Sequence, residues 1–538
     1  MTSAVAATSP RRTDDEEFGA WNGAAPASEV AEKTMTEKGK TGLTILGVAG
    51  LFGILGDALL RSGPWGLNLL LWMIPFAVAV LLLSPIRRAA IKDGGGWLLV
   101  LLLTFSAALV WRDSPVLKAL SLLAILIALA LLLLRAQGGR VRTAGVVEYL
   151  VGGSVAALNV GAGILHLVAS YLPWSALLNR QTVRRPLALA RGLALALPVL
   201  LLFGGLLVAG DPVFAAIMQR VLFPNFSVVL TIITHCMTIG VVTWLVAGYL
   251  RGLLVGGECG RLLRLSMPAP RLGSTEVSIV LGLVDALFLL FVLVQVRYLF
   301  GGASLVGIKP GLTYAEYARQ GFFELVAVAA LALPILLAAH WLRGREAEVN
   351  ERSFRLLALV QVLLLFVIMA SAVDRMLLYQ REYGQTELRL YTSAFMGWLG
   401  LVFLWFILTV LRARRQYFVF GAMLAGFAVL ASLYVVNPDA VIARVNLARA
   451  AAEHGFDSSY AASLSGDSIP VLVAGLPSLN PKDRASLARD LLHHGPAAGG
   501  DWRTWSLSRR EAELWMGKYR PLLTSLAGER RSEGSGAE

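Results

Sequence analysis

Charge is scarce in this chain. Asp, Glu, Lys and Arg make up 15% of its residues, against 57% hydrophobic. A soluble globular chain carries about a quarter charged residues, so the composition argues against an ordinary soluble domain. Cysteine is scarcer still, with two residues, Cys236 and Cys259. That excludes a disulfide framework, and no cysteine spacing suits zinc. The first 40 residues lack an early apolar core and include "RRTDDEEF"; they read as a disordered cytoplasmic tail over 1–42, not as a cleavable signal peptide. No phosphate-binding glycine loop, metalloprotease helix or nucleophile elbow occurs. No basic patch interleaved with aromatics occurs either, so the formal charge of +13 does not point to nucleic acid. No metal and no cofactor is expected.

Long apolar runs are what the chain has in abundance. Runs near 20 residues recur, each long enough for a hydrocarbon core about 30 Å thick. They lack the polar face that a soluble amphipathic helix needs. The expected fold is all-α: a polytopic transmembrane bundle over 43–436 with about eleven spans, at 43–60, 66–84, 96–111, 115–134, 188–209, 226–250, 274–300, 320–342, 355–378, 389–411 and 416–436. Residues 135–187 contain "VVEYLVGGSVAALNVGAGILHLVASYLPW", which is long enough to span. Its Gly, Ser and Asn content favours a cytoplasmic-side interfacial or re-entrant helix, with His166 as an interfacial side chain. Lys and Arg collect in alternate loops, such as Arg87, Arg88 and Lys92, then Arg251, Arg261 and Arg264, then Arg412, Arg414 and Arg415. This bias places the N-terminus in the cytoplasm and the C-terminal region outside it. After "YVVNPDA" the chain turns polar, and 437–527 reads as a small extracytoplasmic helical appendage, followed by a disordered tail at 528–538. The partner implied is the lipid bilayer, with a second membrane or envelope protein as the macromolecular candidate.

Polar residues inside apolar runs need a reason, since a charge at the bilayer centre costs roughly 2.5–3.5 kcal/mol on insertion scales. Asp285 sits mid-span in "LGLVDALFLLF", where it either meets a proton or cation or packs a helix through a hydrogen bond. His235, in "LTIITHCMTIG", forms a stripe with Thr231 and Thr238; interhelical packing is one reading and a proton relay to Asp285 the other. Asp374 and Arg375 end the ninth span, and Arg381, Glu382, Glu387 and Arg389 follow with interleaved tyrosines. In "GLTYAEYARQGFFEL", Thr313 and Glu316 fit a capping box. Thr313, Tyr317, Gln320 and Glu324 then share one helical face, which carries Glu324 into the membrane edge. The three charged stretches, 311–325, 374–391 and the C-terminal region, are expected to pack together, with Glu316 or Glu324 near Arg375, Arg381 or Arg389.

The stretches "GLTYAEYARQGFFEL", "YGQTELRLYTSAFMGWL", "NPDAVIARVNLARA" and "DWRTWSLSRREAEL" resemble signatures of a bacterial multi-pass membrane family catalogued as domain of unknown function 4173, over roughly 190–520. The resemblance implies a bacterial inner-membrane protein. It implies no activity and supplies no catalytic residues. Three classes of function follow. The leading one is a non-catalytic scaffold or signalling partner with a polar extracytoplasmic site. The second is an ion- or proton-coupled transporter using His235, Asp285 and Glu324. The third is a lipid-linked glycosyl transferase, for which Asp57 near the short "RSGPWG" loop and Asp211 in "GDPVF" are the available carboxylates.

Overall fold

The computed structural model describes residues 27–82, 95–137, 139, 141–171, 226–255, 273–300, 322–342, 351–452, 455–496 and 500–534, with scattered positions between 192 and 213. Every regular element among them is helical. The helices are α1 (Ala27–Leu60), α2 (Leu67–Leu82), α3 (Gly96–Trp111), α4 (Pro115–Ala136), α5 (Val146–Tyr171), α6 (Phe226–Val255), α7 (Ser274–Phe300), α8 (Phe322–Leu342), α9 (Glu351–Tyr383), α10 (Glu387–Thr409) and α11 (Phe418–Val436). Five more follow: α12 (Pro438–Ala451), α13 (Ser458–Ser463), α14 (Ile469–Gly475), α15 (Pro481–His494) and α16 (Leu507–Gly534).

Nine helices among the described residues are long and apolar enough to cross a membrane. The expected list of spans changes in membership. Helix α3 has 16 residues, short of the roughly 20 that a bilayer asks for, and α2 is described only as far as Leu82. The segment 188–209 lies outside the described residues apart from scattered helical positions. Helix α5, read from its sequence as interfacial or re-entrant, has 26 residues and the apolarity of a span. Large aliphatic side chains such as Leu51, Ile54, Val100, Leu126 and Leu283 stand exposed on these helices, as surfaces meeting hydrocarbon would.

Contacts divide the chain into two units, residues 1–47 with 165–224 and residues 48–164 with 225–538. In the first, the His166 and Tyr171 rings meet edge-on at 6.3 Å. In the second, one apolar core runs through α7 to α11 and includes Leu281, Leu325, Leu365, Phe403 and Phe406. A separate core holds α12 to α16 together through Ile442, Leu472, Leu487 and Leu523. Within this unit α5 meets α4 and α6 near their C-terminal ends. A Cβ at Gly152 would strike Leu134, and one at Gly163 would lie 2.7 Å from the Gly248 backbone. The Trp244 indole donates to the Gly161 carbonyl at 2.7 Å.

Local signals explain several helix starts. An Asx residue followed by proline opens α12 and α15: Asn437-Pro438 and Asn480-Pro481. The asparagine side chain takes an orphan N–H, and proline at the first helical position has none to lose. The connections at 61–66, 112–114 and 384–386 all reach the C-terminal helices. Leu67 N–H donates to Trp505 O at 3.1 Å, Arg503 to Ala58 O at 2.8 Å, and Asp113 N–H to Asp467 at 2.7 Å. The α9–α10 corner is held by Asn446, which accepts from Gln385 N–H at 2.7 Å and donates to Gln385 O at 2.9 Å.

That corner turns on Gly384, whose φ is +75°, and a Cβ there would lie 2.5 Å from Asn446 Oδ1. Gly384→Val combines a left-handed backbone with a clash and is expected to cost about 1–3 kcal/mol. Thermal unfolding in detergent should show a lowered midpoint with insertion intact; an unchanged midpoint would contradict the corner's role.

Candidate functional site

His235 has a different partner from the one its sequence suggested. Its Nδ1 lies 2.5 Å from Asp57 Oδ2, joining α6 to α1. Arg61, one turn on, stands 3.9 Å from the other Asp57 oxygen. Glycine at 53 and 56 brings the helices close enough, since a Cβ at either would strike Thr243 or Val242. Asp285, the relay partner expected from sequence, is instead buried in α7 at 6% exposure, with neither oxygen hydrogen-bonded. From sequence Asp57 stands only as a carboxylate for a transferase; its pairing with His235 is what the spacing does not show.

The charges at 374–391 form a helix terminus rather than a nest of ion pairs. Arg389 donates to the Tyr383 carbonyl at 3.3 Å and to that of Gly384, and its guanidinium lies 4.0 Å over the Tyr379 ring. Arg449 of α12 donates to Arg381 O at 2.9 Å and to Glu382 O. Two cations thus satisfy the last carbonyls of α9 and offset the negative end of its dipole. Arg375 donates to Gln295 Oε1 at 2.9 Å. Asp374 and Glu324 are exposed. Among the described residues Glu324 pairs with none of Arg375, Arg381 or Arg389. Glu316 and Tyr317 lie outside the described residues, as does most of the 311–325 stretch.

The densest polar site lies where α3, α4, α10 and α11 meet the C-terminal helices, and sequence reading missed its centre. Asp467 is 5% exposed. One oxygen accepts from Arg112 at 3.2 Å and from the Ser508 hydroxyl at 2.6 Å. The other accepts from the N–H groups of Asp113 at 2.7 Å and Ser114 at 3.2 Å. Ser465 Oγ lies 3.2 Å from the same oxygen and accepts from Asp467 N–H at 3.4 Å, while its own hydrogen goes to Asp439. Arg112 also donates to Tyr434 O at 3.0 Å. Asp113 is held by Lys118 at 2.6 Å and has Arg509 at 3.5 Å. The signal in the sequence was faint: "WRDSPV" reads as a bare helix start, and "SGDSIP" as a turn.

Beside Asp467 sits Asp439, fully buried. One of its oxygens accepts from the Ser465 hydroxyl and N–H, while the other has no partner. Burial pushes the Asp439 carboxyl up to about 6; the Ser465 hydroxyl pulls it down, and the neighbouring Glu387 and Asp467 charges add to the rise. Tyr460 accepts from Glu387 N–H at 2.9 Å, and Tyr391 bonds Ser114 at 3.3 Å. Tyr391 also closes one end of an apolar cleft of about 490 Å³ between α4, α10 and α11, lined by Leu120, Phe395, Trp398, Met423 and Phe427 among others. The Trp398 indole donates to Ala422 O at 3.0 Å. The cleft therefore suits a hydrocarbon chain and offers no reacting group. Among the described residues no cluster of three or more His, Cys, Asp or Glu could hold a metal.

The Asp439 proton has a consequence for stability. A carboxyl raised in the folded state binds more protons there than in the unfolded chain, between the ordinary value near 4 and about 6. Stability must then fall as pH rises through that window. Asp439→Asn should flatten this fall in thermal unfolding measured from pH 4 to 7. A slope unchanged by the substitution would show that another group carries it.

The expectation of family 4173 is corrected by comparison with family models. Its four stretches are rich in Tyr, Trp, Arg and Glu, residues that cap and anchor helices in any multi-pass protein and so discriminate weakly between families. Neither a curated protein nor a solved structure matches the chain. The model that does match covers residues 97–475, well over half the chain, and the protein belongs to that family, Domain of unknown function (DUF4153).

Proposed function

We propose that the protein is a non-catalytic membrane scaffold. Its apolar bundle carries α12 to α16 as a docking platform for a second envelope protein. The observation that carries this reading is the Asp467 clamp, in which one buried carboxylate gathers donors from the 112–114 turn and α16. Such a node fixes a surface in place; it performs no reaction. The surface it fixes has an unused apolar side, with Leu507, Leu514 and Leu522 exposed on α16 at helical spacing. The charge bias of the loops supports placing this platform outside the cytoplasm of a bacterial cell, at the inner membrane.

A second reading, ion coupling, is favoured by the Asp57–His235 pair, an acid and an imidazole at membrane depth. The transferase reading is weaker, because His235 engages Asp57 and because Asp211 accepts from Val213 N–H at 2.8 Å as a helix start.

Breaking one partner of a buried charged pair costs about 3–5 kcal/mol, so Asp467→Ala should loosen α12 to α16 and leave the bundle inserted. Limited proteolysis should then cut between 437 and 534 in the variant only. A photo-reactive residue at Leu514 should trap an envelope protein in cells, and the adduct should vanish with Asp467→Ala. An adduct that survives the substitution, or no adduct in the parent chain, contradicts the docking platform.

A further inference from the structure

Two side chains between α7 and α9 are buried without any partner. Asp285 is 6% exposed and Gln361 fully buried. Neither Asp285 oxygen, nor the Gln361 carbonyl oxygen, nor its amide nitrogen makes a hydrogen bond. Four orphaned polar atoms in a membrane-spanning layer are unusual, because hydrocarbon offers nothing to replace water.

The helix register places them together. Gln295 Oε1 accepts from Ser371 at 3.2 Å and Arg375 at 2.9 Å. These residues lie toward the C-terminal ends of both helices, and the two helices pack along their length, so they run in the same direction. Asp285 stands ten residues before Gln295, and Gln361 ten residues before Ser371. At about 1.5 Å per residue, both sit at one level, roughly 15 Å from the Gln295 bonds. Both are buried, as are Leu281, Val292 and Gln295 on α7 and Ala358, Leu365 and Ile368 on α9.

Among the described residues of α7, α8 and α9, no countercharge stands at that level. The titratable residues of α8 are Glu324 and His340, at its two ends. On α9, Arg355 is engaged by Glu351 at 2.6 Å, while Asp374 and Arg375 lie more than three turns beyond Gln361. On α7, Glu276 is in the first turn and Arg297 near the end. A bare carboxylate at this level would be uncompensated.

We propose that Asp285 and Gln361 form a site in the middle of the membrane for one small monovalent cation, a sodium ion or a proton. Both sources supply the same chemistry: a positive charge on the carboxylate, with the Gln361 carbonyl as a second oxygen ligand or hydrogen-bond acceptor. The Gln361 amide N–H group then donates to the remaining carboxylate oxygen. The site is separate from the C-terminal platform and does not depend on the docking reading.

The test uses the full chain in nanodiscs, with thermal unfolding in sodium chloride against equimolar choline chloride, and infrared spectra across a pH series. Sodium that raises the unfolding midpoint by several degrees, with the rise abolished in Asp285→Asn and reduced in Gln361→Leu, identifies a sodium site. Sodium without effect, together with a carboxylic-acid carbonyl band that titrates, is absent in Asp285→Asn and shifts in Gln361→Leu, identifies a proton site. Glu324→Gln, on an exposed acid, should leave either response intact. If Asp285→Asn does not insert, Gln361→Leu alone decides, since it must weaken the sodium response or move the band. No dependence on sodium or pH that either substitution changes overturns the site.

Discussion

A polar side chain that leaves water inside a bilayer must be satisfied by the protein, because hydrocarbon has no hydrogen bond to give. Burial away from water sets the same demand beyond the bilayer, and the main polar contacts of this structure answer it. Asp57 finds His235, and the carbonyls at the end of α9 find Arg389 and Arg449. Asp467 takes donors from the 112–114 turn and from α16 and in doing so ties the C-terminal helices against the turn that begins α4. The apolar cores of the bundle and of the C-terminal helices are separate clusters, bridged by α10, whose Leu390 packs against the second; polar side chains add further ties between them.

Against this background, Asp285 and Gln361 stand out among the described residues, because both polar atoms of each side chain lack a hydrogen bond. They occupy buried positions on helices whose other buried residues are mostly apolar. An apolar residue at either position would pack as well without the penalty of a stranded dipole or charge. The acidic node at Asp439 differs in kind, since it lies outside the candidate spans, beside serine and tyrosine hydroxyls, and keeps one oxygen bonded.

Much of the fold was legible because a bilayer leaves few choices. Apolar length marked most of the helices from Gly39 to Val436, and the change to polar sequence after "YVVNPDA" marked where they end. Helix α5 was harder, because its glycines suit close packing whether a helix crosses or lies flat. The site was legible only in part. His235 and Asp285 declared themselves as polar residues in apolar runs, but which partner each would find depends on helix neighbours that one-dimensional spacing does not encode. Arg389 looked like part of a charged surface and is a cap, since its target is a run of main-chain carbonyls that sequence does not mark. Asp467 was invisible because its donors are two backbone N–H groups, an arginine about 350 positions away and a serine in α16.

The direct measurement is a double-mutant cycle between Arg112 and Asp467, read by equilibrium unfolding of the full chain in detergent. A charge-assisted bond at a buried carboxylate should give a coupling of about 1.5–3 kcal/mol. Additive effects of Arg112→Ala and Asp467→Ala, within about 0.3–0.5 kcal/mol, would contradict the view that this carboxylate registers the C-terminal helices on the bundle.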